Sequence, residues 1–351
     1  MAEGNAGSER PFGKRDSMKR QEMTFDPFQL LDKKERKRLT RRNDVTGLIY
    51  LAGHLGTIAA GGAAVYVSLG TVLVVPAMFA HGILLACLFA PMHECSHGTA
   101  FRTRWLNEAV YWLVSLIYIS QPTWYRYRHA VHHTYTQIQG KDPSMVLPSP
   151  TTWRHYFEQL LGWRFWTTFP VVITKHALGE MRPQDSWYVP KSDLPRIYGE
   201  ARFMLAFYAA IAAGAAYMGT WAPLIYWIIP RMMGEPLQRS WRIAEHKGCA
   251  EVPDVRVNTR STKAGPIMRA LCWNMPYHSE HHVCPQAPFF ALPELHKLIG
   301  NQLKPMGESL FAVDREVRRA CIVSAAEAAR RLEERKTTKE EIDGNWVCHL
   351  D

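Results

Sequence analysis

Histidine is concentrated in three short stretches: His93-Glu94-Cys95-Ser96-His97, His129-Ala130-Val131-His132-His133 and His278-Ser279-Glu280-His281-His282. They hold eight of the fifteen histidines. On a helix, HxxxH sets two rings on one face, at i and i+4, and HxxHH sets three, at i, i+3 and i+4. Neutral imidazole is a ligand for iron, copper, zinc and nickel. A surface histidine cluster would account for one such stretch, but not for three with these spacings. Eight imidazoles are too many for one tetrahedral zinc, which takes four ligands. They suit two ions of higher coordination number, with positions open to oxygen or water. Two ferrous ions held only by neutral ligands would keep their full charge, which calls for an anionic bridging ligand and for carboxylates nearby. Glu94 and Glu280 lie inside the stretches, and Glu245 precedes a lone His246, the candidate ninth ligand.

In this order the stretches resemble the histidine boxes of the membrane-bound fatty acid desaturase and hydroxylase superfamily. Tyr125-Arg126-Tyr127-Arg128 running into the second stretch is similar to that superfamily's second box. Asn274 to His282, followed by Pro285 and Pro288-Phe289-Phe290-Ala291-Leu292-Pro293, is similar to its third-box region. The likeness spans roughly residues 45–296. It implies a non-haem di-iron centre (two Fe) using O2, with His93, His97, His129, His132, His133, His246, His278, His281 and His282 as metal ligands. Asn274 becomes a polar partner of a metal-bound water, beside Glu94 and Glu280 as supporting groups in catalysis. The first box has three residues between its histidines, where some desaturases have four.

The activity the resemblance implies is oxidation of an unactivated C–H bond by dioxygen and external electrons, giving a double bond or an alcohol. Those outcomes diverge only after the first hydrogen is removed, so sequence does not choose between desaturase and hydroxylase. A fatty acyl chain is the expected substrate. Alkanes, carotenoids and methylated small molecules are alternatives, the last through a hydroxylase or demethylase reaction. No haem-binding His-Pro-Gly-Gly occurs, so electrons are expected from a separate donor of the ferredoxin, rubredoxin or cytochrome b5 type. A histidine-based metal transporter or sensor is the reading from another class. Transporters place their ligands at the bilayer midplane within broken helices, whereas these boxes lie outside the charge-free spans or at their ends.

The elements that must bring the boxes together are long and apolar. Residues 45–93 contain no Asp, Glu, Lys or Arg. One crossing needs roughly 20 residues, so the stretch predicts two, with a turn near Ser68-Leu69-Gly70-Thr71. Gly53, Gly56, Gly61 and Gly62 are expected to permit close helix approach, and the second helix runs into box one. His54 and His81, within these spans, are assigned structural roles. A second charge-free stretch covers residues 203–230, with a break at Gly219-Thr220. A single long span there would leave box three across the membrane from the other two. Metal geometry therefore selects a second hairpin, leaving through Arg231, Glu235 and Arg239 and delivering His246.

The expected fold is thus an all-α integral membrane protein. Four transmembrane helices form two hairpins, and a cytosolic helical cap carries the di-metal site. Its segments are a basic N-terminal one (1–44), the first hairpin (45–93) and cytosolic or interfacial helices with boxes one and two (94–196). The second hairpin (197–236), a cytosolic segment with His246 and box three (237–312), and a C-terminal amphipathic helix and tail (313–351) follow. Trp105–Ile119 reads as a buried or interfacial helix. Trp153–Trp166 reads as a helix at the headgroup level, although its aromatics would serve equally well in a substrate channel. The last helix, from about Val313, is expected to be solvent-exposed, with i,i+4 pairs such as Asp314 with Arg318 and Glu327 with Arg331.

The remaining composition fits. The net charge is +10, and Lys33-Lys34-Glu35-Arg36-Lys37-Arg38 and Arg41-Arg42 sit directly before the first apolar span. That position favours a cytoplasmic, lipid-facing amino terminus over nucleic-acid binding. No cleavable signal pattern is seen near Met1. Seven cysteines at irregular spacing fit a reducing compartment, and Cys95 is filler within box one. Both termini and all three boxes are expected on the cytosolic side.

Overall fold

A computed structural model describes residues 30–146 and 149–322, together with 327, 330 and 333. The basic residues before Leu30 and the pairing of Glu327 with Arg331 lie outside the described residues. What is described is helical. Strand pairing among the described residues is limited to an isolated parallel bridge between Thr262 and Gly307.

A short helix precedes the chain's first long rod. α1 (Lys33–Leu39) is capped by Asp32, and α2 (Asp44–Ser68) by Asn43, whose side chain accepts from the amides of Val45 and Thr46. Asp44 accepts from Thr103 N and Oγ1 at 2.8 and 2.7 Å. This ties the start of α2 to the start of α5 (Arg104–Tyr118). Between them stand α3 (Val74–Ala86) and α4 (Phe89–His97), which continue each other across Cys87-Leu88. The residues Asp44–Ser68 and Val74–His97 are long and apolar enough to cross a membrane. Their outward side chains are apolar and exposed, among them Ile49, Val67, Val75 and Phe79. The turn falls where expected, at Gly70 with φ +77°.

The glycines expected to bring these helices together divide. Gly61 lies against His81, whereas Gly53 and Gly56 face open space. The closest backbone approach is elsewhere, between α3 and α11 (Ile229–His246). A Cβ on Gly82 would fall 1.8 Å from the carbonyl oxygen of Pro230, and one on Gly234 would fall 2.1 Å from Gly82. The two backbones touch there, which no larger residue permits. The structural role expected of His54 and His81 is visible in their bonds. His54 Nε2 donates to Leu84 O at 3.0 Å, and His81 Nε2 donates to Tyr226 O at 2.9 Å.

The second charge-free stretch is built differently from the first. α10 (Leu194–Tyr217) ends before Gly219, and a π-helical turn at Leu224–Ile228 leads into α11. α10 packs chiefly on α8 (Trp163–Ala177) and α11 on α3. Tyr208 of α10 donates to Leu116 O and Trp227 donates to Ile117 O, so the carboxyl end of α5 lies between them. Neither rod is as apolar as the first pair. α11 carries Arg231, Glu235 and Arg239, which pair with one another inside the protein, and Arg231 lies over the Tyr118 ring.

The expected single helix over Trp153–Trp166 is two helices, α7 (Trp153–Leu160) and α8 (Trp163–Ala177). The break is Gly162, at φ +66° and tight against Glu235 and Arg239, a place and conformation that suit glycine. The chain then passes through α9 (Pro183–Ser186) to α10. After α11 come α12 (Pro266–Leu271), α13 (His278–Val283), α14 (Leu292–Ile299) and α15 (Leu310–Cys321). α15 begins before Val313 and is not wholly exposed. Val313, Val317 and Cys321 pack against Ile243 and Ala244 of α11, while its outer face carries the expected Asp314–Arg318 pair at 2.8 Å.

Candidate metal centre

Each histidine is placed by a short helix end. α4 lifts His93 and His97 from the end of the apolar rod, and Gly98 at φ +68° stops it directly afterwards. α6 (Pro122–Thr134) begins at a proline, with Thr123 N and Oγ1 donating to Glu200 at 2.9 and 2.5 Å. It presents His129, His132 and His133 from one face. α11 ends at His246, whose carbonyl accepts from Gln137 Nε2 at 2.6 Å. α13 is only six residues long and is positioned by what precedes it. Trp273 and Asn274 both hold positive φ, +47° and +55°, a conformation that is costly for tryptophan. The fully buried Trp273 packs on Phe289, which fixes the turn from which box three departs.

The nine histidines come together in two groups. His93, His97, His129, His133 and His281 form one, from α4, α6 and α13. His132, His246, His278 and His282 form the other, from α6, α11 and α13. In each group the nearest ring nitrogens lie within 4.8 Å of one another. In the first group Nε2 atoms approach at 2.9 Å (His97–His129), 3.0 Å (His133–His129) and 3.2 Å (His281–His133). In the second the approaches are 2.8 Å (His278–His246) and 3.1 Å (His282–His278). The groups adjoin, since the rings of His133 and His282 stack at 4.1 Å.

These distances test the fit to a metal. A divalent ion holds imidazole nitrogen at about 2.0–2.1 Å, so ligands at right angles stand about 3.0 Å apart, as these do. Converging lone pairs without a cation would repel. Burial first, and then neighbouring histidines, push the pKa of His129, His133, His281 and His282 well below the ordinary value. Burial acts in the same direction on His246 and His278. They are therefore neutral, the form that binds metal. The five imidazoles of the first group exceed the four ligands a tetrahedral zinc takes, and the four of the second match that number.

The supporting groups differ from expectation in position. Glu94 accepts from Thr99 Oγ1 at 2.5 Å and from the amide of Phe289 at 3.1 Å. Glu280 accepts from Ser261 Oγ and His296 Nδ1, each at 2.5 Å. Asn274 donates to the carbonyl of Phe289 at 3.2 Å. All three brace the segments around the boxes. A carboxylate that bonds directly to a box imidazole is that of Asp142, which accepts from His132 Nδ1 at 2.9 Å. Burial alone would raise the Asp142 carboxyl. The adjacent His132 and the amides of Gln137 and Ser144 outweigh it and hold the pKa at about 2. Thr136 Oγ1 lies 3.1 Å from His282 Nδ1, and Glu245 lies 3.6 Å from His278 Nδ1. Asp142 and Thr136 were not marked by the spacing of the boxes. A carboxylate in the turn after box two was the available signal for Asp142.

Beside the groups is a small cleft, with Cys87, Phe89 and Met275 on one side and α11 on the other. The Phe89 ring stacks on His93 at 5.6 Å. Among the described residues, the site therefore combines two clusters of imidazole nitrogens, one flanked by carboxyl groups, with an adjoining largely apolar cleft.

Comparison with known proteins agrees with this chemistry. The family model described as "Fatty acid desaturase" matches residues 68–313. A Beta-carotene ketolase of Paracoccus sp. (strain PC1) is 26% identical over 61% of this chain and 75% of its own length. A Beta-carotene 4-ketolase 3 of Haematococcus lacustris is 27% identical over 62% of this chain, which spans 60% of that relative's length. An sn-1 oleoyl-lipid 12-desaturase of Picosynechococcus sp. is 22% identical over 68% of this chain and 72% of its own. With the family model covering most of the chain and its boxes converging in space, the chain belongs to the fatty acid desaturase family, membrane histidine-box proteins that are oxygen-dependent oxidoreductases.

Proposed function

We propose that the chain is a membrane-bound di-iron oxygenase that desaturates or hydroxylates an unactivated C–H bond, with a fatty acyl chain as the first candidate substrate. The observation that carries this reading is the convergence of nine imidazoles, six of them buried, into two adjoining groups. Iron, when bound, would supply the activation of dioxygen. His93, His97, His129, His133 and His281 would hold one ion, and His132, His246, His278 and His282 the other. Asp142 fixes the tautomer of His132 by accepting from Nδ1, which leaves Nε2 free to bind. Burial raises the Glu245 carboxyl to about 8 in the metal-free chain, so it holds a proton at neutral pH on the wall of the cleft. The apolar lining excludes water from the reacting carbon. Glu94, Glu280 and Asn274 hold the helices that carry the ligands.

A second substrate reading, a carotenoid, is supported by the likeness to beta-carotene ketolases. The transporter reading is weaker, because the ligands stand at helix ends beside a largely apolar cleft. We further propose four crossings in two hairpins, with both termini and the boxes cytosolic, and a separate ferredoxin, rubredoxin or cytochrome b5 type donor docking on that face. Mass spectrometry of lipids and pigments from cells expressing the chain tests the activity. New oxidised products are expected, and they should be absent with His132→Ala. Products indistinguishable between the two would refute the reading. A cysteine placed at Ser68 should react with a membrane-impermeant reagent added outside, whereas one at Lys141 should not.

A further inference from the structure

The cleft beside the histidines has one wall that does not match a plain hydrocarbon. α11 presents Gln238, Trp241, Arg242 and Glu245 to it, spaced i, i+3, i+4 and i+7 along one helical face. Gln238 is 6% exposed and Trp241 8%. Gln238 Oε1 and Trp241 Nε1 are both buried without a hydrogen-bond partner. One is an acceptor and the other a donor, and buried groups of this kind are ordinarily paired. The opposite wall, from Cys87, Phe89 and Met275, supplies neither.

The position of these two atoms matters as much as their chemistry. The cleft reaches both histidine groups, through Phe89 stacked on His93 and through Glu245 beside His278. Trp241 and Gln238 precede His246 by five and eight residues, which is about 7 to 12 Å along the helix axis at 1.5 Å per residue. A polar group held there would lie at a set distance from the carbon that meets the histidines.

We infer that the cleft takes a hydrophobic molecule bearing a hydroxyl or amide group within its length, and that Gln238 and Trp241 are the specificity-determining residues that bind that group. The inference rests on the proposed reading of the cleft as the substrate site. Bonding to these two atoms fixes the register of the chain in the cleft, and so selects which carbon is presented. Apolar contact alone fixes no register, because one methylene resembles the next.

Equilibrium binding of tritiated octadecane and 1-octadecanol to the purified full-length protein in lipid nanodiscs tests this, with empty nanodiscs subtracted. The alcohol is expected to bind about tenfold more tightly, the difference made by one additional well-formed hydrogen bond. Gln238→Leu and Trp241→Phe should each reduce that preference to about twofold or less. Leucine removes a buried unpaired acceptor, so the fold is not challenged, and thermal melting of both variants verifies it. Equal binding of the two probes by the unsubstituted protein would overturn the inference, as would a tenfold preference surviving in both variants. Iron content, measured on the same samples, separates the two proposals. A preference for the alcohol without bound iron would refute only the proposed function. Two iron atoms per chain with no preference would refute only this inference.

Discussion

The two histidine groups share α6 and α13 and yet have different surroundings. The five-membered group draws on α4, α6 and α13, and the Nδ1 atoms of His93, His133 and His281 are buried without a partner. The four-membered group draws on α6, α11 and α13, and it carries the carboxylates. Asp142 bonds to His132, Glu245 faces His278, and Thr136 stands against His282. One group thus has more ligands and the other the negative charge of Asp142 nearby. A carboxylate behind an imidazole raises the basicity of the ligand and partly compensates the ion's charge. The proposed second ion should therefore be held by electrostatics and the first by ligand number. Gly82 and Gly234 link the two, since α3 runs on into box one and α11 ends at His246.

The largest effect expected is that of His132→Ala, which removes both an imidazole of the smaller group and the partner of Asp142. Turnover should fall below detection, and metal analysis should give one iron per chain in place of two. The helices should stay folded by circular dichroism, because their apolar faces are held by lipid and by one another. If the variant kept both iron atoms and its activity, the assignment of box two to this group would fail.

Asp142→Asn sharpens the contrast. It keeps the shape and removes the charge, so the affinity of the smaller group should drop about 10- to 100-fold with the larger group unchanged. Competition with a chelator would read this as one early and one late loss of iron. Simultaneous loss would mean that Asp142 does not distinguish the groups.

Acid provides a third measurement. Burial depresses the pKa of His133, His246, His281 and His282 below the ordinary value of about 6.5. The stability they contribute is thus fully present above that pH. It is lost as pH falls from there toward their folded values, because the unfolded chain takes up protons more readily. Metal binds the same neutral form and is released over the same window. The larger group should empty first, since Asp142 attracts a divalent ion more strongly than a single proton. A melting temperature unchanged from pH 7 to below pH 5 would contradict the account, and release in the reverse order would break the comparison.

The smallest effect belongs to Asn274, whose amide donates to Phe289 O rather than to an imidazole. Asn274→Ala should cost about 1 kcal/mol of stability through the lost bond, and activity should fall only partly. Loss of iron from this variant would place Asn274 nearer the metal than its hydrogen bond suggests.

Much of this was legible in the residues because it depends on period and composition. The boxes repeat at helical spacing, so His93 with His97, and His129 with His132 and His133, must share a face whatever surrounds them. Charge-free length identified the Asp44–Ser68 and Val74–His97 rods, and the positive-φ glycines Gly70 and Gly219 stand at the two expected turns. Only tertiary structure decided how the nine histidines divide, because the division cuts through boxes two and three. Adjacent His132 and His133 point about 100° apart on α6 and enter different groups, as do His281 and His282 on α13. The carboxylate that bonds to a box imidazole, Asp142, lies outside every box, because the turn after α6 folds it back onto His132. The α3–α11 crossing at Gly82 and Gly234 likewise joins residues more than 150 positions apart. Local pattern states which face a residue occupies, but the partner of that face is chosen by packing across the whole chain.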